Sequence, residues 1–102
     1  MSIVKVTADT FKAEVLESSE AVLADFWAVW CMPCRMMEPV VEKLAQAYDG
    51  RLKVVKVNVD EEQALAGQYG IQSIPTFLVF HKGELVNRAL GAVPQRTLEQ
   101  LI

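Results

Sequence analysis

Cys31 and Cys34 are the only cysteines in this chain of 102 residues, and Met32 and Pro33 separate them. Side chains at i and i+3 of a helix share a face, with Cβ atoms about 5–6 Å apart, whereas a disulfide closes best near ~3.8 Å. A start of a helix absorbs that difference, so such a pair can pass between two thiols and one disulfide. The first cysteine also meets unpaired backbone N–H groups and the positive end of the helix dipole. Both favour the thiolate, which is the nucleophile. Pro33 falls in the first turn, where its missing N–H costs nothing.

Other uses of two cysteines fit less well. A structural zinc site takes four ligands, and the single histidine, His81, is far away in the sequence. Attachment of c-type haem requires a histidine after the second cysteine, where Arg35 stands. Two inert core cysteines would leave Pro33 and the strand-to-helix junction without a reason. A disulfide-framework mini-protein carries more cysteines at wider spacing. The chain has no Gly-x-Gly-x-x-Gly, no phosphate loop and no His-Glu-x-x-His. One histidine leaves no Cys-His protease arrangement that spacing supports.

The elements that must hold the dithiol follow from hydrophobic pattern. Ile3 to Val6 reads as a short strand, followed by a helix with Thr7 as N-cap, Asp9 in its first turn, and Phe11, Val15 and Leu16 at helical spacing. Ala21 to Ala28 is nearly continuous apolar residues, the pattern of a strand covered on both faces. One long helix is expected from Cys34 to Tyr48, kinked at Pro39, with Gly50 after its end. Leu52 to Val59 reads as a second buried strand. Asp60 is the expected cap of a helix that ends at Gly70, with Gln63 completing a capping box. Thr76–Phe80 and Glu84–Leu90 form an expected hairpin through Lys82-Gly83, and Pro94 opens a final helix. The fold class is α/β: βαβαβ followed by ββα, a central mixed sheet with helices on both faces, in one domain spanning 1–102.

Composition sets the outer bounds. The chain is 52% hydrophobic and 23% charged, with ten Lys and Arg against thirteen Asp and Glu, a net charge of −3. No clustered basic surface is available to neutralise phosphates, so nucleic acid is not the expected partner. Charges interrupt every apolar stretch, so no membrane span is expected, and the amino terminus shows no basic-then-apolar leader pattern. A cytoplasmic protein is the expectation, although a chain whose leader had been removed would look the same.

Asp25 is embedded in the apolar strand that leads into the dithiol. Alternation puts Leu23, Asp25 and Trp27 on one face and Val22, Ala24, Phe26 and Ala28 on the other. With both faces buried, the carboxyl loses its hydration and its pKa is expected to rise. The competing reading is a strand-end aspartate that reaches water. Lys56 occupies the other central strand, either near Asp25 or as a surface lysine. Trp27 reads as core packing and His81 as a solvated residue at the hairpin end.

The stretch Asp25-Phe26-Trp27-Ala28-Val29-Trp30-Cys31-Met32-Pro33-Cys34-Arg35 resembles the active-site segment of the thioredoxin family. The resemblance extends over nearly the whole chain, through Pro39, Lys56-Val57-Asn58-Val59-Asp60, Ile74-Pro75-Thr76, and the glycines at 83 and 91. Two departures stand out: Met32-Pro33 where the family usually has Gly-Pro, and a shorter last helix. The resemblance implies a protein-disulfide reductase in which Cys31 is an exposed attacking nucleophile, Cys34 resolves the mixed disulfide, and Asp25 and Lys56 lie behind Cys34. It implies a cis peptide at Pro75, although only about 5–6% of X–Pro bonds in folded proteins are cis. It implies a substrate platform of Trp30, Met32, Pro33, Ile74, Pro75, Gly91 and Ala92, in which backbone beside Pro75 pairs with an extended substrate segment. No cofactor is implied. The implied partners are protein disulfides and a thioredoxin-reductase-type flavoprotein that returns electrons, with the chain itself a monomer. A disulfide oxidase or isomerase, a non-catalytic interaction module and a metal-bridged dimer are the rival readings.

Overall fold

The computed structural model describes residues 3–102; Met1 and Ser2, the first residues of the expected 1–102 domain, lie outside the described residues. Five strands form one sheet: β1 (Val4–Lys5), β2 (Ala21–Trp27), β3 (Leu52–Asn58), β4 (Thr76–His81) and β5 (Glu84–Leu90), in the order β1-β3-β2-β4-β5. β1, β3 and β2 run parallel, and β4 and β5 add antiparallel pairing beyond β2. The expected mixed sheet is therefore present. Four α-helices accompany it: α1 (Met32–Met36), α2 (Glu38–Ala47), α3 (Gln63–Gln68) and α4 (Gln95–Glu99). No helix among the described residues is long and apolar enough to cross a membrane.

Alternation along β2 divides the core. Val22, Ala24 and Phe26 face a cluster with Val55, Val57, Leu65, Leu78 and Phe80, closed by Phe11 and Val15. Leu23 faces the opposite cluster with Met37, Val41, Leu44, Val54, Phe77, Val79 and Leu98. Helices thus cover both faces, because strands apolar on both sides must be buried on both. β2 sits at the centre with Leu23 opposite Val54 on one side and Val79 on the other.

Three local expectations are corrected. Thr7 caps no helix: its N–H donates to the Thr10 hydroxyl, and the next helical turn, Lys12–Leu16, is a wide π turn in which Glu17 N–H reaches Lys12 carbonyl. The single helix from Cys34 to Tyr48 is two helices that meet at Met37. Pro39 sits in the first turn of α2, where its ring and missing N–H are tolerated, and this ends α1 rather than merely bending it. Asp60 is not a cap either. Asn58 Oδ1 accepts the N–H groups of Asp60 and Glu61 at 2.9 and 3.2 Å, and α3 starts later, at Gln63, after an uncapped Glu62.

The hairpin turns on Lys82 and Gly83, with φ of 52° and 82°. Positive φ at both centres matches the twist of the flanking strands. A Cβ on Gly83 would also stand 2.9 Å from the Leu16 carbonyl oxygen, whereas Gly70, at φ 64°, has open space. Gly83→Ala is expected to destabilise the fold by roughly 2–3 kcal/mol and Gly70→Ala by about 1 kcal/mol. Urea midpoints of the two variants measure the difference; equal losses would show that the Leu16 contact carries no cost.

Candidate active site

The chain leaves β2 at Trp27 and turns over so that Cys31 N–H donates to Ala28 carbonyl at 3.2 Å. Cys31 keeps an extended conformation, φ −87° and ψ 106°, and is the N-cap of α1. Its Sγ accepts the Cys34 N–H at 3.2 Å. Cap and strand end therefore fix the first sulfur, and one helical turn places the second. The two are joined as a disulfide with Cα atoms 5.3 Å apart. Pro33 lies in the first turn of α1, as its residue type predicts.

Both cysteines are buried, Cys31 at 3% and Cys34 at 2% exposure, in a small cluster with Ala28, Trp27, Val59 and Ile74. The expectation of an exposed Cys31 is corrected for the oxidised form. What separates the two sulfurs is the helix cap, not exposure. Around them the surface is apolar and open: Val29, Trp30, Met32 and Met36 are each more than half exposed, and Pro33 is exposed. Apolar side chains concentrated at one place on the surface mark an interaction site.

The loop that carries Ile74 and Pro75 reaches the same sulfur. Cys31 Sγ lies 3.7 Å from the Ile74 carbonyl oxygen. The Ile74–Pro75 peptide is cis and Pro75 is buried. Gly91 N–H donates to Pro75 carbonyl at 2.8 Å, which ties the Gly91-Ala92 turn to this loop, with Ala92 exposed. Ile74 thus touches the cysteine pair, Trp30, Met32 and Pro33 adjoin it in the chain, and Gly91 and Ala92 connect to it through Pro75.

Asp25 is 2% exposed, and its Oδ1 has no hydrogen-bond partner among the described residues. Burial pushes its carboxyl from 3.8 up to about 7; the Lys56 charge pulls down against this, and the Glu38 charge adds to the rise. The strand-end reading in which Asp25 reaches water is thereby excluded. Asp25 and Lys56 are register partners on β2 and β3. Lys56 does not ion-pair with Asp25. Its Nζ lies 4.0 Å from Glu38 Oε2 and 4.1 Å above the Trp27 ring. Trp27 is half-buried and carries this cation on its face, beyond simple core packing. Asp25 makes no direct hydrogen bond to either cysteine in the oxidised form. It shares its sheet face with Leu23, which packs with Met37, three residues past Cys34.

Two site residues escaped sequence reasoning. Asp60 Oδ2 accepts the Trp30 indole N–H at 2.8 Å and so orients the largest exposed side chain beside Cys31. Glu38 reaches Lys56 from α2. Asp60 follows the buried strand, which gave it the look of a cap, and no spacing links Glu38 to a lysine eighteen positions on. His81 is exposed at the end of β4, as expected. Among the described residues no three His, Cys, Asp or Glu side chains stand close enough to share a metal ion.

A cysteine pair closed as a disulfide at a helix cap and bordered by exposed apolar side chains fits a thiol–disulfide oxidoreductase. A family model described as Thioredoxin matches residues 2–102. The chain is 56% identical over 98 residues to thioredoxin 1 of Nostoc sp., covering 96% of this chain and 92% of that one. It is 59% identical over 93 residues to thioredoxin 1 of Synechococcus elongatus, covering 91% and 87%. Against the thioredoxin of Bacillus subtilis it is 50% identical over 102 residues, 100% of this chain and 96% of the relative. The chain belongs to the thioredoxin family. It is a protein-disulfide reductase whose working group is the Cys31–Cys34 pair.

Proposed function

We propose that Cys31 attacks and Cys34 resolves. The Cys31 thiolate attacks one sulfur of a substrate disulfide, forms a mixed disulfide, and expels the other substrate sulfur as a thiolate that takes a proton from water. Cys34 then loses its proton and attacks Cys31 Sγ, closing the Cys31–Cys34 disulfide and freeing the second substrate thiol. The observation that carries this order is the cap: Cys31 Sγ receives the Cys34 N–H at 3.2 Å, a bond that strengthens when the acceptor is a thiolate.

Asp25 is the general base for Cys34, directly or through one water, and Lys56 sets the electrostatic field around that base. A carboxyl that titrates near neutrality is matched to this task. Trp30, Met32, Pro33, Ile74, Pro75, Gly91 and Ala92 hold the substrate. An extended segment lies along the Ile74 backbone, and the Pro75 carbonyl, already engaged by Gly91, keeps the loop in place. The chain works as one domain over 1–102 and as a monomer, with no cofactor of its own, and does not bind nucleic acid. A flavoprotein reductase returns its electrons, and the cytoplasm is its compartment.

Brief iodoacetamide treatment of the reduced protein, followed by mass mapping, tests the order of attack. Cys31 is expected to carry the label, with an apparent pKa below the free-thiol value of about 8.5. Preferential labelling of Cys34 would reverse the roles.

A further inference from the structure

A charged cleft of about 230 Å³ opens beside the buried carboxyl, lined by Ile3, Lys5, Trp27, Glu38, Val41, Glu42 and Lys56. Its lining includes Trp27 and Lys56, two of the side chains next to Asp25 on its sheet face. Lys56 is within reach of two carboxylates. One is Asp25, its partner in register on the adjacent strand. The other is Glu38, about half exposed on α2. The ammonium goes to Glu38 and the Trp27 face, leaving Asp25 Oδ1 without a partner. Near the solvent an ammonium keeps part of its hydration, which it would lose by turning inward to a fully buried carboxyl.

We propose that Glu38 is a positioning residue for the reaction: it holds Lys56 at the mouth of the cleft and so denies Asp25 an ion-pair partner. The proposal rests on the reading of Asp25 as the base. The titratable groups of the elements around this carboxyl and its cleft are few, and of them Lys56 and Glu38 act on its charge. β3 contributes Lys56, β1 contributes Lys5, α2 contributes Glu38 and Glu42, and α1 contributes Cys34 once it is reduced. β4 and α4 present apolar Phe77 and Leu98 to this face. Lys5 is engaged elsewhere, 3.1 Å from Glu61. Glu38 therefore acts twice. Its own charge opposes ionisation of Asp25, and its grip on Lys56 keeps the opposing positive charge at a distance.

The test follows the Asp25 carboxyl carbon by NMR through a pH titration of the oxidised protein, in which the cysteines carry no proton. Glu38→Gln is expected to lower the Asp25 midpoint, reducing its proton affinity by about three- to tenfold. Glu42→Gln, on the same helix and cleft but not ion-paired with Lys56, is expected to leave it within about 1.5-fold. In a Lys56→Met background Glu38→Gln is expected to retain less than half of its effect. An unchanged midpoint in Glu38→Gln overturns the proposal. So does a full effect in the Lys56→Met background, which would make Glu38 a direct charge and not a positioning residue. The titration reads Asp25 whether or not it is the base, so failure of the base assignment shows separately, in the resolving rate of Asp25→Asn.

Discussion

Cys34→Ser is expected to attack substrate disulfides and then fail to let them go. With the second thiol removed, release of the mixed disulfide depends on a thiol from solution. Intramolecular partners held in place reach effective molarities of about 10⁵–10⁸ M, so at millimolar external thiol the loss of turnover should be at least about 10³-fold. The product should be a stoichiometric covalent complex through Cys31, visible by intact mass under non-reducing conditions. The cap geometry makes the outcome asymmetric. Cys31 sits at the strand-to-helix turn among exposed apolar side chains, while Cys34 lies a full turn into α1. Cys31→Ser should therefore trap nothing. A complex trapped through Cys34, or turnover retained in Cys34→Ser, would contradict the assignment.

Asp25→Asn is expected to separate stability from catalysis, raising one and lowering the other. The folded carboxyl titrates at about 7, against 3.8 for an unperturbed one. Below the lower value the proton is bound in both folded and unfolded chains, and the carboxyl adds no pH dependence. Between the two values the unfolded chain ionises while the folded one does not, so stability falls as pH rises. Above about 7 the loss levels off, at a ceiling of about 4 kcal/mol. Asparagine removes this ionisation penalty but leaves a buried amide to satisfy, so the expected gain at pH 8 is roughly 2–3 kcal/mol. Below pH 3.8 that gain is gone and the variant should be the less stable of the two by about 1–2 kcal/mol, the cost of the buried amide. The resolving step should slow by about 10²-fold at pH 7, the lower end of general-base effects, because water can relay part of the proton. Urea midpoints across this pH range and single-turnover kinetics check both halves. An unchanged resolving rate would leave Asp25 as a buried carboxyl without a catalytic part.

The dithiol and the buried acid were readable from type and spacing, whereas the platform around Pro75 was legible only through the family resemblance. Cys31, Pro33 and Cys34 announced a dithiol at a helix start, and the alternation of Leu23, Asp25 and Trp27 placed a carboxyl on a covered face. Both readings rest on periodicity, a short-range property of the chain. What the sequence concealed depends on competition between partners. Thr7 and Asp60 have the chemistry of caps, yet Thr7 closes a turn in which its own N–H goes to Thr10 Oγ1 and its carbonyl accepts the Thr10 N–H, while Asn58 takes the donors after β3 and Asp60 turns to the Trp30 indole. Pro39 foretold a bend, but whether a proline kinks a helix or ends it depends on where the next turn packs. For Lys56 the sequence left two readings, a neighbour of Asp25 or a surface lysine, and the strand register makes it the neighbour. Its choice of Glu38 was not legible, since that contact joins a strand to a helix and is decided by hydration.

The division at Met37 has an evolutionary side. Within α1 and its last cap residue, only Cys34 and Met37 are buried; Met32, Pro33, Arg35 and Met36 face water. With the buried cap Cys31, the catalytic segment is thus a short module plugged into the scaffold at three points, and α2 begins a fresh helix with its own core contacts. Selection can revise the water-facing positions, Met32 among them, with little penalty in folding, because surface changes away from caps and buried contacts usually cost less than about 0.5 kcal/mol. A lineage can therefore explore new clients and new driving forces by editing a handful of codons, while the sheet, the buried acid and the sulfur pair pass unchanged from parent to descendant.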